Sequence, residues 1–124
     1  MTSLPLIHIR WSAPIPMEGA DASPIPPRGG VYEIMVEDDT GVERIYAGET
    51  GDLRRTFVSH SGGSKGDEEL RRAILQNCTF FRYWECEVMS RRLEVVAALL
   101  DTHIYEYGTD NCDGAGCVRI QETY

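Results

Sequence analysis

The sequence predicts an α+β fold in which a small three-stranded antiparallel sheet is flanked by helices. Two runs of strand-forming residues, 31–36 and 42–46, are joined by turn residues at 38–41, where Gly41 can adopt a positive φ. An aromatic-rich run at residues 79–88 is about the length of a strand and predicts the third one. Apolar residues at helical spacing follow both the hairpin and this third strand, which indicates the flanking helices.

The first half of the chain begins with residues 4–11, whose alternating pattern is typical of a short strand. Residues 12–29 hold five of the six prolines and are therefore expected to form an extended connector into the sheet. After the hairpin, Asp52 can cap a helix that begins at Leu53.

Two further helices and a last strand are expected in the second half. Acidic residues at 67–69 favour a helix N-terminus, and Ser90 is predicted to cap a third helix that Gly108 ends. Residues 117–120 have the composition of a short last strand. The apolar positions of the third helix include Leu93, Val96, Ala97, Leu100 and Ile104.

The length of 124 residues and the hydrophobic fraction of 42% indicate one domain with one modest core. Its expected parts are the N-terminal strand and proline-rich connector at 1–29, the core at 30–108, and a C-terminal loop and strand at 109–124. No apolar run approaches the roughly 18 residues of a membrane span, and no signal peptide is evident, so we expect a cytoplasmic protein without membrane association. The four cysteines are expected to be reduced, and their spacing does not favour a zinc site.

The formal net charge of −8 is unusual for a protein that binds a nucleic-acid duplex, which normally presents a basic surface. Nearly all the positive charge is arginine, which suits bidentate contact with phosphate. Candidate nucleic-acid-binding residues are therefore Arg54, Arg55, Arg71 and Arg72, although the preferred explanation is that they lie on solvated helix faces and neutralise nearby acidic groups.

The segment from Gly30 to His60 resembles the GIY-YIG nuclease superfamily, which includes the N-terminal domain of the excision-repair subunit UvrC and many homing endonucleases. Gly30-Val31-Tyr32 opens the first strand, Tyr46-Ala47-Gly48 ends the second, and a Gly-Asp turn leads into a helix that ends near His60. The resemblance covers residues 29–108. It implies hydrolysis of DNA phosphodiester bonds with Mg²⁺ or Mn²⁺ as cofactor.

The same resemblance assigns roles to individual residues. Tyr32 and Tyr46 would line the cleft, one of them acting on the attacking water, and His60 would lie near the scissile phosphate. Glu94, in an otherwise apolar helical stretch, would be the single metal ligand. From the residues alone, a salt bridge between Glu94 and Arg91 is the favoured explanation.

This chain departs from the family at Thr56, where the family carries an arginine that contacts the scissile phosphate. Leu53 and Phe57 set the helix register, so Arg55 points about 100° away from the direction of Thr56. Arg55 is the arginine that would have to replace the missing one. Asn111 is the nearest match to an asparagine that the family carries near its C-terminal end.

Three hypotheses follow. The first is an active endonuclease in which Tyr32, Tyr46, His60 and Glu94 converge. The second is a catalytically inactive module of the same fold that binds nucleic acid or protein. The third is a different α+β domain that binds a protein through its proline-rich connector and aromatic strand. A protein partner or a homodimer would supply the specificity that a lone nuclease core lacks.

Overall fold

The computed structural model describes residues 4–19, 21–62, 68–107 and 118–124. Within them the fold is α+β, with three helices and six strands. In chain order the elements are β1 (Leu6–Arg10), β2 (Ile15–Pro16), β3 (Gly30–Asp38), β4 (Gly41–Thr50), α1 (Leu53–Ser61), α2 (Glu68–Gln76), β5 (Cys78–Glu85), α3 (Met89–Thr102) and β6 (Arg119–Thr123).

The main sheet has four antiparallel strands in the order β2-β5-β3-β4, one more than predicted. The three predicted strands are present, and β3 lies between β5 and β4. The additional strand is the two-residue β2, which comes from the proline-rich connector and pairs Ile15 with Phe81. A proline is tolerated there because β2 is an edge strand, where one missing N–H does not interrupt a ladder.

A second sheet consists of β1 and β6, which pair in parallel with Ile7 opposite Ile120. The predicted N-terminal strand is therefore confirmed, but it pairs with the end of the chain and does not join the main sheet. The last strand also lies later than expected, since β6 runs from Arg119 to Thr123. We call this pair of strands the terminal ribbon.

The two faces of the main sheet carry separate cores, because successive side chains of a strand point to opposite faces. On one face, Tyr32 and Ile34 pack with residues of α1 and α2. On the other face, Val31 packs with α3 and the terminal ribbon. Elements therefore cover the sheet on both sides, and β3 contributes to both cores.

The helix boundaries confirm one predicted cap and correct another. Asp52 caps α1, and its Oδ1 accepts a hydrogen bond from the Arg55 backbone N–H at 3.1 Å. Ser90 is not a cap, because α3 begins at Met89, two residues earlier than a cap at Ser90 implies, with Val88 at the N-cap and no side-chain cap bond.

The predicted end of α3 is also wrong, because the helix ends earlier than the sequence indicates. The helix ends at Thr102, where His103 adopts extended backbone geometry. Ile104 is consequently 93% exposed rather than part of an apolar helix face. Gly108, the predicted end, lies outside the described residues. None of the helices described here is long and apolar enough to cross a membrane.

Candidate functional site

Tyr32, Tyr46 and His60 come together on the face of the sheet that α1 and α2 cover. Tyr32 pairs with Gly48 and Ile34 pairs with Tyr46, so the two tyrosines are diagonal neighbours on adjacent strands. Their ring centroids lie 6.0 Å apart. His60, in the last turn of α1, places Nε2 3.0 Å from the Tyr32 Oη and its ring 5.6 Å from that of Tyr46. We call these three residues the aromatic trio.

Gly48, the last residue of the second motif, is part of this arrangement, and the expectation that the second strand ends there is wrong. It lies inside β4, which continues to Thr50. A Cβ atom at this position would be 2.7 Å from the Tyr32 Oη and 2.8 Å from its Cζ. The absence of a side chain therefore provides the space that the Tyr32 phenol occupies.

The aromatic trio is largely enclosed. Tyr32 is 1% exposed and His60 is fully buried, while Tyr46 is half-buried. The Tyr32 ring stacks on Phe81 at 5.2 Å, and Phe57 packs edge-on against the same phenylalanine. A ligand would therefore reach the trio from the side of Tyr46.

Thr56 lies where the family resemblance expects an arginine, and it is 4% exposed. Its hydroxyl donates to the Thr50 Oγ1 at 2.6 Å, and that oxygen also accepts the Asp52 N–H at 3.1 Å. Thr56 thus joins the end of β4 to the first turn of α1. Arg55 is exposed on the solvent side of the same helix.

The other candidate arginines have different surroundings. Arg54 is held by the connector: its Nε donates to the Ile25 carbonyl at 2.7 Å and its guanidinium to the Ser23 carbonyl at 3.3 Å. Arg71 and Arg72 are exposed on α2, and Arg72 forms an ion pair with Glu68 at 3.2 Å. Arg54 therefore has a structural role, whereas Arg71 and Arg72 face solvent.

Glu94 is not brought together with the aromatic trio. It lies on α3, which packs on the face of Val31 and not on the face of Tyr32. Arg91 is 3.9 Å away, as the salt-bridge alternative expected. Among the described residues no three or more His, Cys, Asp or Glu side chains form a group that could hold a metal. The single metal ligand that the resemblance implies thus lies on the face opposite the trio, and the Mg²⁺ or Mn²⁺ cofactor stays a prediction. Asn111 lies outside the described residues.

A buried ionic network on the opposite face was not predicted. Glu33 is fully buried, and its Oε1 accepts from the Arg82 Nε at 2.7 Å. Its Oε2 accepts from the Tyr105 hydroxyl and lies 3.3 Å from Arg44. The sequence did hold a signal, because a carboxylate in the middle of an apolar strand requires partners.

Glu122 of β6 extends this network to the terminal ribbon. Its carboxylate accepts from the Trp11 indole at 2.8 Å and lies 2.6 Å from the His103 Nε2 and 3.0 Å from Arg44. The Arg82 guanidinium lies 4.7 Å from the ring centroids of both Trp11 and Tyr124.

The charges of the network shift the pKa values of its members. Burial raises the pKa of the Tyr105 phenol, and the neighbouring Glu33 carboxylate raises it further, so Tyr105 stays a donor. Burial acts to raise the pKa of Glu122, but hydrogen bonds from Trp11 and His103 and the charge of Arg44 outweigh it and lower that pKa. The buried acids are thus matched by donors, which indicates that the network holds elements together.

Comparison of the chain with protein-family models, with curated proteins and with solved structures found no match. The GIY-YIG resemblance therefore rests on the motif residues of the sequence and remains a prediction.

Proposed function

We propose that this chain is a GIY-YIG-like module that does not cleave DNA and acts as a binding domain. The observation that carries this proposal is the identity of residue 56. Thr56 stands where the resemblance expects an arginine, and its side chain is buried and hydrogen-bonded to the Thr50 hydroxyl. Loss of a cation that stabilises a transition state costs on the order of 10²-fold or more in rate.

The neighbouring arginines do not offer an evident replacement. Arg54 is bound to the connector carbonyls, and Arg55 lies on the exposed side of α1. Glu94, the expected metal ligand, lies on a helix of the other face and beside Arg91. The arginine that the resemblance expects is thus absent, and neither neighbouring arginine takes its position.

The charge of the chain favours a protein as the partner of this module. Duplex binding normally requires enough basic side chains to replace the counterions of several phosphates. A net charge of −8 opposes such contact everywhere except at a local group of arginines.

The second candidate function is a Mg²⁺- or Mn²⁺-dependent DNA endonuclease, and one observation favours it. Tyr32, Tyr46 and His60 meet as the family resemblance expects. In this case Arg55 would have to reach the phosphate, and Tyr46 would be the part of the trio open to substrate.

Cleavage of supercoiled and branched DNA with Mg²⁺ or Mn²⁺ tests the two candidates. The proteins to compare are the wild type, Glu94→Gln, Thr56→Arg and the matched control Glu85→Gln, whose side chain is exposed. We expect no cleavage by the wild type.

The outcomes separate the candidates clearly. Cleavage by the wild type that disappears in Glu94→Gln and persists in Glu85→Gln would overturn the inactive-module proposal and establish the nuclease. Activity that appears only in Thr56→Arg would support a site silenced by the loss of the arginine. Thermal unfolding of each variant shows whether the buried position tolerates the larger side chain.

A further inference from the structure

The outward face of α2 presents positive charge around an exposed apolar side chain. Arg71 and Arg72 are exposed, and Leu75, one turn further along, is 65% exposed. With Glu68 and Gln76 they line a shallow concavity of about 280 Å³. We call Arg71, Arg72 and Leu75 the arginine face.

The ion pair with Glu68 leaves Arg72 able to bind a partner. The Arg72 side chain is 59% exposed and the Glu68 side chain is 82% exposed. Pairs of this kind contribute about 0–1 kcal/mol because water screens them and both side chains lose freedom. A carboxylate from a partner can therefore compete with Glu68 for the guanidinium.

The tip of the β3–β4 hairpin has the complementary character. The pairing of β3 with β5 ends at Glu37, which lies opposite Cys78, so residues 38–41 extend beyond the end of β5. Val42, the cross-strand partner of Glu37, is 61% exposed. Four exposed carboxylate residues surround it. We call this group the acidic tip, and its members are Glu37, Asp38, Asp39, Val42 and Glu43.

We propose that the acidic tip of one copy docks on the arginine face of a second copy. Val42 lies among four carboxylates, whereas Leu75 lies beside two arginines whose charge Glu68 offsets only in part, so the net signs of the two surfaces are opposite. Pairing them buries both apolar side chains and matches carboxylates with guanidinium groups.

The net charge of −8 makes two copies repel at long range, but this repulsion is screened beyond about 8 Å at physiological salt. Local complementarity decides the contact at shorter range. The acidic tip and the arginine face are different surfaces of the protein. Two copies can therefore form a two-fold dimer that contains two such contacts, or many copies can form an open filament. This proposal is independent of whether the aromatic trio is catalytic.

Sedimentation velocity at about 0.15 M salt tests the contact directly. The full chain is compared with Arg71→Glu/Arg72→Glu and with Glu37→Lys/Glu43→Lys. We expect the wild type to associate and each charge-reversed protein to sediment as a monomer, with an association constant lowered at least about tenfold. An equimolar mixture of the two variants is expected to form a heterodimer through one docking, since the unchanged acidic tip of one variant then meets the unchanged arginine face of the other.

The matched controls are Arg10→Glu and Glu85→Lys, which reverse exposed charges on other elements and should associate as the wild type does. Circular dichroism shows that each variant is folded. A wild type that is monomeric at about 1 mM overturns the proposal. Association that the charge reversals leave unchanged also overturns it. The same holds if every protein stays monomeric and the wild type binds duplex DNA while Arg71→Glu/Arg72→Glu does not.

Discussion

Gly48 and Tyr32 show how one missing side chain positions a functional group. The motif Tyr46-Ala47-Gly48 places its glycine directly opposite Tyr32 on the neighbouring strand. The phenol occupies the space where a Cβ atom would lie, and from there it reaches His60 on α1. The glycine is therefore required by packing, and no positive φ is involved.

Gly48→Ala is expected to lower the free energy of unfolding by about 1–3 kcal/mol, because the new methyl group overlaps the Tyr32 phenol and displaces it. Urea denaturation measures the loss. Gly51→Ala is the matched control, since a Cβ there meets nothing within 4 Å, and it should change stability by less than about 0.5 kcal/mol. Equal effects of the two substitutions would contradict the packing role of Gly48.

At the scale of elements, strand β3 connects two different environments. Tyr32 belongs to the aromatic trio on one side of the sheet, and the next residue, Glu33, belongs to the ionic network on the other side. Arg82 on β5 and Arg44 on β4 both approach Glu33, so one carboxylate joins the three long strands of the sheet. Such a network is costly to break because its charges are buried.

Glu33→Leu is expected to destabilise the protein by about 3–5 kcal/mol, since it leaves the Arg82 guanidinium buried without its carboxylate. The double variant Glu33→Leu/Arg82→Met should lose less than the sum of the two single changes. Chemical denaturation of all four proteins gives the coupling energy. If the losses of unfolding free energy in the two single variants simply add up in the double variant, the ion pair does not contribute. Glu37→Leu, a change at an exposed position of the same strand, serves as the control.

For the whole molecule, Glu122 links the end of the chain to the sheet. It lies on β6, yet its carboxylate contacts Trp11 after β1, His103 after α3 and Arg44 on β4. The terminal ribbon is thus attached to the rest of the fold by hydrogen bonds to one carboxylate as well as by apolar packing.

The lowered pKa of Glu122 predicts a dependence of stability on pH. A carboxyl whose pKa is lower in the folded protein than its ordinary value of 4.5 adds stability above that value and loses it as the pH falls. The difference in unfolding free energy between wild type and Glu122→Gln should therefore shrink as the pH is lowered. Urea titrations between about pH 7 and about pH 3 measure it. A difference that stays constant with pH would refute this role.

Local sequence signals predicted much of the fold because the responsible interactions are themselves local. The hairpin, the Asp52 cap and the start of α1 follow from turn residues, strand formers and a capping side chain within a few positions of one another. Antiparallel pairing of the two motif strands then placed Tyr32, Tyr46 and His60 together. The cap at Ser90 was wrong because several neighbouring positions can start a helix, and packing against the sheet chose one of them.

The sequence by itself determined the α+β class and the hairpin, since both depend on short-range periodicity and on one tight turn. The meeting of Tyr32, Tyr46 and His60 was expected only from the family resemblance, and it depends on the packing of α1 against the sheet. Only the tertiary structure decided that the two ends of the chain pair with each other and that Glu94 and the trio belong to opposite faces of the sheet. It also revealed that Glu33 and Glu122 share Arg44. These contacts join residues far apart in the chain, and their partners are selected by burial and charge, which no local pattern encodes.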